Sequence, residues 1–281
     1  MQSNNKITSR IHTAILPMKG WRLFDLKELW AYRELLFFLA WRDIKVRYKQ
    51  TILGAAWALI QPLMTMALFS VIFGALLKVN TDGAPYPIFS FAALLPWQLF
   101  AYALTNASNS VVNEKNLVTK IYFPRIIVPF ASVVAGLADF VIAFGLLIGL
   151  LIFYRIPITV RILMLPLFTL LALTSALAVG ILLSALIVKY RDFRYIVPFL
   201  TQFWMYATPI AYSSSLIPER WRSFYALNPM VGVVEGFRWA LLGGDNVDMN
   251  IFLVSTGVVV LLLIGSLFYF RRAEASFADM I

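Results

Sequence analysis

The chain has no cysteine and one histidine, His12, among its 281 residues. The absence of thiols excludes disulfides, zinc–thiolate sites and cysteine nucleophiles. A lone histidine in a polar tail leaves most metal and acid–base chemistry without its usual residues. Charge is scarce as well, with Asp, Glu, Lys and Arg at 14% against about 25% in soluble domains. In their place stand apolar residues, 61% hydrophobic and 15% aromatic, with a mean hydropathy of +0.80. That balance excludes a soluble globular enzyme and predicts an all-α polytopic membrane protein. A crossing takes about 20 apolar residues, so six need about 120, and more than half the chain remains for loops and termini.

Catalytic signatures are also missing. There is no Gly-x-x-x-x-Gly-Lys-Ser/Thr loop, no Gly-x-Gly-x-x-Gly, no Gly-x-Ser-x-Gly and no His-Glu-x-x-His, so nothing cradles a nucleotide phosphate or a zinc ion. Asp245 and Asp248 fall in a Gly/Asn-rich turn, which reads as a solvated loop rather than a metal site. Residues 1–25 have neither the apolar stretch nor the cleavage site of a signal peptide and read as a cytoplasmic tail. The chain is expected to be no enzyme and to hold no cofactor of its own.

Net charge is +10, which in a soluble protein would suggest nucleic acid. Ten of the 24 Lys and Arg lie in residues 1–52, beside the first apolar run. That is the placement of a membrane protein anchored from the cytoplasm, so membrane lipids, and no nucleic acid, are the expected contact. Over 26–50, Trp30, Phe37, Trp41, Ile44 and Tyr48 share one helical face, with Lys27, Glu34, Arg42, Lys45 and Lys49 on the other side. The pattern predicts an amphipathic helix lying in the membrane interface, its cluster Arg42, Lys45, Arg47 and Lys49 turned to anionic lipid.

An ionised side chain at mid-bilayer costs about 2.5–3.5 kcal/mol, so long charge-free gaps mark crossings. They run between Lys49 and Lys78, Asp82 and Glu114, Arg161 and Lys189, Arg194 and Glu219, and Asp248 and Arg271. A sixth segment, Arg125 to Tyr154, carries one acid, Asp139. Six spans are therefore expected over 51–281. Taking the N-terminus, 114–125, 189–194 and the C-terminal tail as inside assigns 18 basic residues there against 6 outside, and both termini become cytoplasmic. Between spans five and six, 213–249 holds apolar stretches too short to cross, broken by Pro218, Pro229 and Gly243–Gly244. They read as re-entrant half-helices on the outer side, with an ordinary folded loop as the alternative. Asp139 is either a carboxyl hydrogen-bonded to a neighbouring helix or held protonated, or part of a proton relay. Gly145-Leu-Leu-Ile-Gly149 fits the small-xxx-small pattern of close helix packing.

Three stretches are more specific. Trp41-Arg-Asp-Ile-Lys-Val-Arg-Tyr-Lys-Gln-Thr-Ile-Leu-Gly54 runs on to Trp57 and Gln61-Pro62; Asn116-Leu-Val-Thr-Lys-Ile-Tyr-Phe-Pro124 follows; Tyr190-Arg-Asp-Phe193 leads to Thr208-Pro-Ile-Ala-Tyr212. Together, from about residue 30 to the C-terminus, they resemble ABC-type polysaccharide exporter permeases of the type 2 ABC exporter superfamily. These are membrane subunits that export O-antigen, capsule or teichoic acid. The resemblance implies a homodimer of six-span subunits in the bacterial inner membrane, driven by two copies of an ATP-binding subunit that carries ATP and magnesium, moving a lipid-linked glycan. A related permease for a drug or lipid, or an ion-coupled transporter, is the alternative.

By the same resemblance, 113–124 is the coupling loop that docks on the ATPase. Asn113, Glu114, Lys115, Lys120, Tyr122 and Phe123 are its contact residues, with Pro124 ending the helix before span three, and Lys189–Arg194 is a lesser contact. Sugar rings stack on aromatic faces, which makes Trp97, Phe100, Tyr102, Phe203, Trp204, Tyr206 and Tyr212 candidates for a glycan path. Phe203 and Trp204 cannot both face it on a regular helix. Arg42, Lys45 and Arg47 suit the pyrophosphate of the lipid carrier.

Overall fold

The computed structural model describes residues 26–49, 56–243 and 248–280, and there is no strand among them. The tail 1–25 with His12, residues 50–55 of the first motif, Gly244 and Asp245 lie outside the described residues. In chain order the α-helices are α1 (Leu26–Ala31), α2 (Arg33–Lys49), α3 (Trp57–Phe69), α4 (Tyr86–Asn113), α5 (Lys115–Lys120), α6 (Ile127–Ala135), α7 (Leu137–Phe153), α8 (Leu165–Lys189), α9 (Phe193–Tyr206), α10 (Glu219–Tyr225), α11 (Pro229–Leu242), α12 (Met249–Glu274) and α13 (Phe277–Met280). A π-helical segment, Ser70–Leu76, continues α3, and a 3-10 segment, Val160–Met164, leads into α8.

Five stretches are long and apolar enough to cross a membrane: Trp57–Leu76, Tyr86–Asn113, Ile127–Phe153, Val160–Lys189 and Met249–Glu274. They coincide with five of the six segments marked by charge spacing. The sixth is built differently. Its helix, α9, has 14 residues, about 21 Å at 1.5 Å per residue, against a hydrocarbon core of about 30 Å. Pro209 drives Thr208 out of the helical region and supplies no N–H, so α9 stops at Tyr206. The segment still reaches from one end of the bundle to the other. Arg194 donates to Asn113 Oδ1 at 3.4 Å, and Ser213 donates to Asp82 at 2.7 Å beyond the opposite end of α4.

The central pair is α4 and α8, most of whose surface is buried. Small residues make their approach close where Gly180 of α8 meets Ala107 of α4, and Ala103, Ala172 and Ala176 on the same two helices are buried as well. A Cβ on Gly180 would stand 2.7 Å from that of Ala107, so the contact tolerates no larger group. α6 and α7 pack on α4, α12 packs on α8, and α11 wedges between α4, α8 and α12. Among the described residues the expected seam at Gly145 and Gly149 meets no other helix, since a Cβ on either would have nothing within 4 Å. Besides Gly180, close glycine contacts lie in α11. There, side chains on Gly232 and Gly236 would strike Ser255 and the Phe168 ring.

The interface region is two helices rather than one, broken at Tyr32. Trp30, Phe37 and Trp41 are exposed, as the amphipathic pattern predicts, and so is Phe38. Leu39 and Ala40 are buried, on a helix that packs on α6. The far end of α2 turns inward. Ile44 and Tyr48 are partly buried, and Arg42 and Arg47 form ion pairs inside the molecule rather than presenting a wholly lipid-facing cluster.

Candidate functional site

At the Asn113 end of the bundle, α5 is the helical part of the expected coupling loop. It ends at Lys120 with extended backbone at Ile121, several residues before Pro124, so the proline does not terminate it. Lys115, Lys120 and Tyr122 are exposed, whereas Phe123 is buried. Glu114 faces inward to Arg42, whose two terminal nitrogens meet its two carboxylate oxygens at 2.6 and 3.1 Å. Arg42 also meets Asp43 at 2.8 Å. The Glu114 hydrogen bond raises the Arg42 guanidinium above its ordinary value against the opposing effect of burial, so the guanidinium stays charged. Behind the loop, the Arg125 N–H donates to Glu274 Oε1 at 3.0 Å and its guanidinium to the Glu274 carbonyl. The C-terminus of α12 thereby anchors the base of the loop. Asn113 accepts from Arg194, which joins the two loops expected to share a side of the membrane.

Deeper in, Asp139 at the start of α7 receives the Tyr48 hydroxyl on one oxygen and Arg47 on the other at 2.5 Å. Burial first, and then the hydrogen bond to Asp139, push the Tyr48 phenol upward, so it remains a neutral donor. The Arg47 guanidinium lies 4.4 Å from the centre of the Tyr102 ring. Tyr102 in turn fits against Gly136, where a Cβ would stand 2.8 Å from the ring. Two cavities meet at this cluster. One, of about 520 Å³, lies under α2 and is lined by Arg42, Arg47, Asn106, Ser110, Glu114 and Ser132 among others. The second, of about 370 Å³, is lined by Trp57, Gln61, Trp97, Gln98, Asn106 and Asp139 among others. Arg47, Tyr102 and Asn106 belong to both.

The aromatic candidates separate. Trp97 and Tyr102 line the smaller cavity. Phe100 has no exposed surface and packs between Trp97 and Trp204, with ring centres at 5.3 and 5.0 Å. Phe203 and Tyr206 are exposed on α9 together with Tyr195 and Phe199. Trp204, on the other side as expected, donates to Asn228 Oδ1 at 2.7 Å. The Tyr212 hydroxyl meets that of Tyr225 at 2.9 Å. Lys45 is exposed and sits over the Trp41 ring.

Two residues that organise the opposite end were not singled out in the sequence. Asn228 caps α11 by accepting from Met230 N–H at 3.0 Å, and it donates to the Ala207 carbonyl and to Thr208 Oγ1. The Asn228-Pro229 pair is the signal that was available, an N-cap residue followed by proline at the first helical position. Arg238, counted as an outer charge, is buried. It donates to the carbonyls of Ile210 at 2.8 Å, Tyr212 at 3.1 Å and Phe89 at 3.4 Å. The Tyr86 hydroxyl takes the Ala211 carbonyl at 2.8 Å. The irregular Thr208–Tyr212 backbone is thus satisfied by side chains from α4 and α11, which buried non-helical backbone at membrane depth requires.

Among the described residues the chain is an all-helical bundle with five stretches long and apolar enough to cross a membrane, a loop tied to an interface helix and a polar cluster beside two open cavities, the architecture of an integral membrane protein. Residues 34–242 match the ABC-2 type transporter family, and the chain belongs to that family. It is 32% identical over 260 residues to the O-antigen export system permease protein RfbA of Myxococcus xanthus, covering 91% of this chain and 98% of that one. It is 27% identical over 250 residues to the Klebsiella pneumoniae protein of the same name, covering 88% and 95%. The polysialic acid transport protein KpsM of Escherichia coli is 24% identical over 243 residues, covering 83% and 92%. These relatives meet the resemblance to polysaccharide-export permeases carried by the three motifs. The chain is an integral membrane protein of that group.

Proposed function

We propose that this chain is the membrane-spanning subunit of an ATP-driven exporter that carries a lipid-linked polysaccharide across the bacterial inner membrane. The observation that carries the reading is the end-to-end similarity to permeases named for O-antigen and polysialic acid. The chain works as a homodimer with two copies of a cytoplasmic ATPase, which bind ATP and magnesium. Both termini lie in the cytoplasm, and α9 with the turn after it completes the sixth passage. α10 and α11 form the re-entrant outer region.

In this reading Lys115, Lys120 and Tyr122 contact the ATPase, with Asn113, Glu114 and Phe123 holding their loop in place. Movement there passes to α2 through Glu114 and Arg42. Trp97 and Tyr102 border the glycan path within the subunit, and Phe203, Tyr206 and Tyr212 border it along α9 and at its outer end. Phe100 and Trp204 support those walls. Arg42, Lys45 and Arg47 form the basic margin that meets the carrier pyrophosphate.

The test is affinity purification in mild detergent from native cells with ATP hydrolysis assayed in the same fraction, paired with glycan analysis of a deletion strain. A stoichiometric ATP-binding subunit and intracellular accumulation of lipid-linked glycan support the reading. A chain that purifies alone from cells whose glycans are unchanged sinks it. Purification with an ATPase but without glycan accumulation would favour a permease for a drug or lipid.

A further inference from the structure

One helix, α12, is fastened both to the loop at 113–124 and to the region of α10 and α11 at the opposite end. At the loop end, Glu274 Oε1 accepts from the Arg125 N–H at 3.0 Å and the Glu274 carbonyl accepts from the guanidinium. The chain then turns back, and α13 packs on α5 and α8. Phe277 is buried there against Phe270, ring centres 5.2 Å apart, with the Arg125 guanidinium 6.0 Å from its own ring centre. At the opposite end, Ser255 donates to the Ala226 carbonyl at 2.9 Å, in the bend between α10 and α11. A Cβ on Gly232 would stand 2.9 Å from that of Ser255, and Ile251 is buried with Ala226 and Val231.

We propose that α12 is a rod that carries displacement of the loop at 113–124 to α10 and α11. The proposal rests on the exporter reading for the source of that displacement, an ATPase at the loop. Its mechanical basis is the helix itself. Proline interrupts the hydrogen-bond ladder and allows bending, and α3, α4 and α9 each hold one, Pro62, Pro96 and Pro198. α12 runs from Met249 to Glu274 with none, and Ser255 and Glu274 stand about 28 Å apart along its axis. α8 is also unbroken, but it is enclosed at the centre of the bundle. α12 lies at the periphery with Val260 and Leu261 exposed, so it can shift without opening the core.

What the rod moves is tied to the turn after α9. The Tyr225 hydroxyl of α10 meets that of Tyr212 at 2.9 Å. Asn228 accepts from the Trp204 indole at 2.7 Å and donates to the Ala207 carbonyl and Thr208 Oγ1. A shift of α12 along its axis therefore reaches Thr208–Tyr212 through α10 and α11. This route is separate from the one through Arg42, which leaves the loop at Glu114, whereas the rod takes hold just past its other end.

The test uses the purified transporter complex in nanodiscs. Because the chain has no cysteine, a nitroxide can be placed at one site beside a cysteine-free ATPase, either by Thr119→Cys on α5 or by Ser223→Cys on α10, both exposed. Electron paramagnetic resonance spectra are compared without nucleotide and after trapping with ATP and vanadate. Both labels are expected to change in the otherwise unaltered complex. Glu274→Ala/Phe277→Ala releases the rod at the loop, and Val260→Gly/Leu261→Gly softens its middle without touching either fastening. In each, the Thr119 change is expected to persist while the Ser223 change falls at least about threefold. Glu274→Gln keeps the oxygen that accepts from Arg125 and is expected to behave as the unaltered chain. A full Ser223 change in either double variant, in monodisperse complexes that hydrolyse ATP, overturns the proposal. So does a Ser223 label that stays still while Thr119 responds in the unaltered complex, and that result leaves the exporter reading standing. Silence at both labels in a complex that hydrolyses no ATP sinks the exporter reading and the rod with it.

Discussion

Arg42 and Glu114, 72 residues apart in the chain, face each other fork to fork at 2.6 and 3.1 Å. One sits on the interface helix and the other near the start of the loop proposed to meet the ATPase. The pair is partly exposed, so its contribution to stability is only about 1 kcal/mol. Its larger consequence is mechanical. Arg42→Ala and Glu114→Gln are each expected to leave insertion, partner binding and ATP hydrolysis near normal while export falls several-fold. Hydrolysis and glycan export measured together in reconstituted vesicles check this, and unchanged export would remove the pair from coupling.

Lys120 lies at the exposed end of α5. Lys120→Glu reverses a charge at the proposed ATPase contact without touching the core. Export is expected to fall with the protein inserted at normal level, and restored export with a compensating charge change on the ATPase would identify the partner residue.

Arg238 closes the carbonyls of Ile210, Tyr212 and Phe89. Arg238→Met fills similar volume but orphans those acceptors, and it is expected to cost about 3 kcal/mol. Arg238→Lys offers one point charge in place of a fork and is expected to recover only part. Thermal unfolding in detergent, followed by tryptophan fluorescence, reads both.

At Gly180 the α4–α8 crossing leaves no room for a methyl group beside Ala107. Gly180→Ala is expected to lose about 1–3 kcal/mol by overpacking. Moving the methyl across the seam, as Gly180→Ala/Ala107→Gly, is expected to recover most of that loss in the same unfolding assay. A double variant no better than the single would show that the strain lies elsewhere.

Asn228→Ala removes the cap of α11, about 1 kcal/mol, and also leaves the Trp204 indole N–H without its acceptor. A loss of about 2 kcal/mol is expected. Asn228→Asp, which keeps the acceptor oxygens, is expected to lose less.

The spans were legible because a single rule governs them. Charge is expelled from hydrocarbon, so Lys49, Lys78, Asp82, Glu114 and the charges after them delimit apolar segments whatever the packing inside. That rule reads the medium and not the neighbours. It therefore counted Arg238 among the outer charges, although the residue is buried against the Ile210 and Tyr212 carbonyls of the turn after α9 and the Phe89 carbonyl of α4. It also set Arg42 and Arg47 toward lipid, because their carboxylate partners Glu114 and Asp139 lie in distant segments. Small-residue spacing marked a seam at Gly145 and Gly149 but carries no information about which helix approaches. Of the close glycine contacts that do exist, those at Gly232 and Gly236 sit in a stretch too short to look like a membrane helix. The aromatic candidates were chosen by residue type, and type does not distinguish Phe100, enclosed by Trp97 and Trp204, from Phe203 on the outer surface of α9.

The shortness of α9 sets a dimension for whatever moves beside it. In the proposed six-span arrangement an apolar wall about 21 Å tall, faced by Tyr195, Phe199, Phe203 and Tyr206, would cover roughly two-thirds of a hydrocarbon core about 30 Å thick. The remaining height is polypeptide whose carbonyls are already claimed by Asn228, Tyr86 and Arg238. Along this one flank the barrier to a polar chain is lower than the membrane is thick.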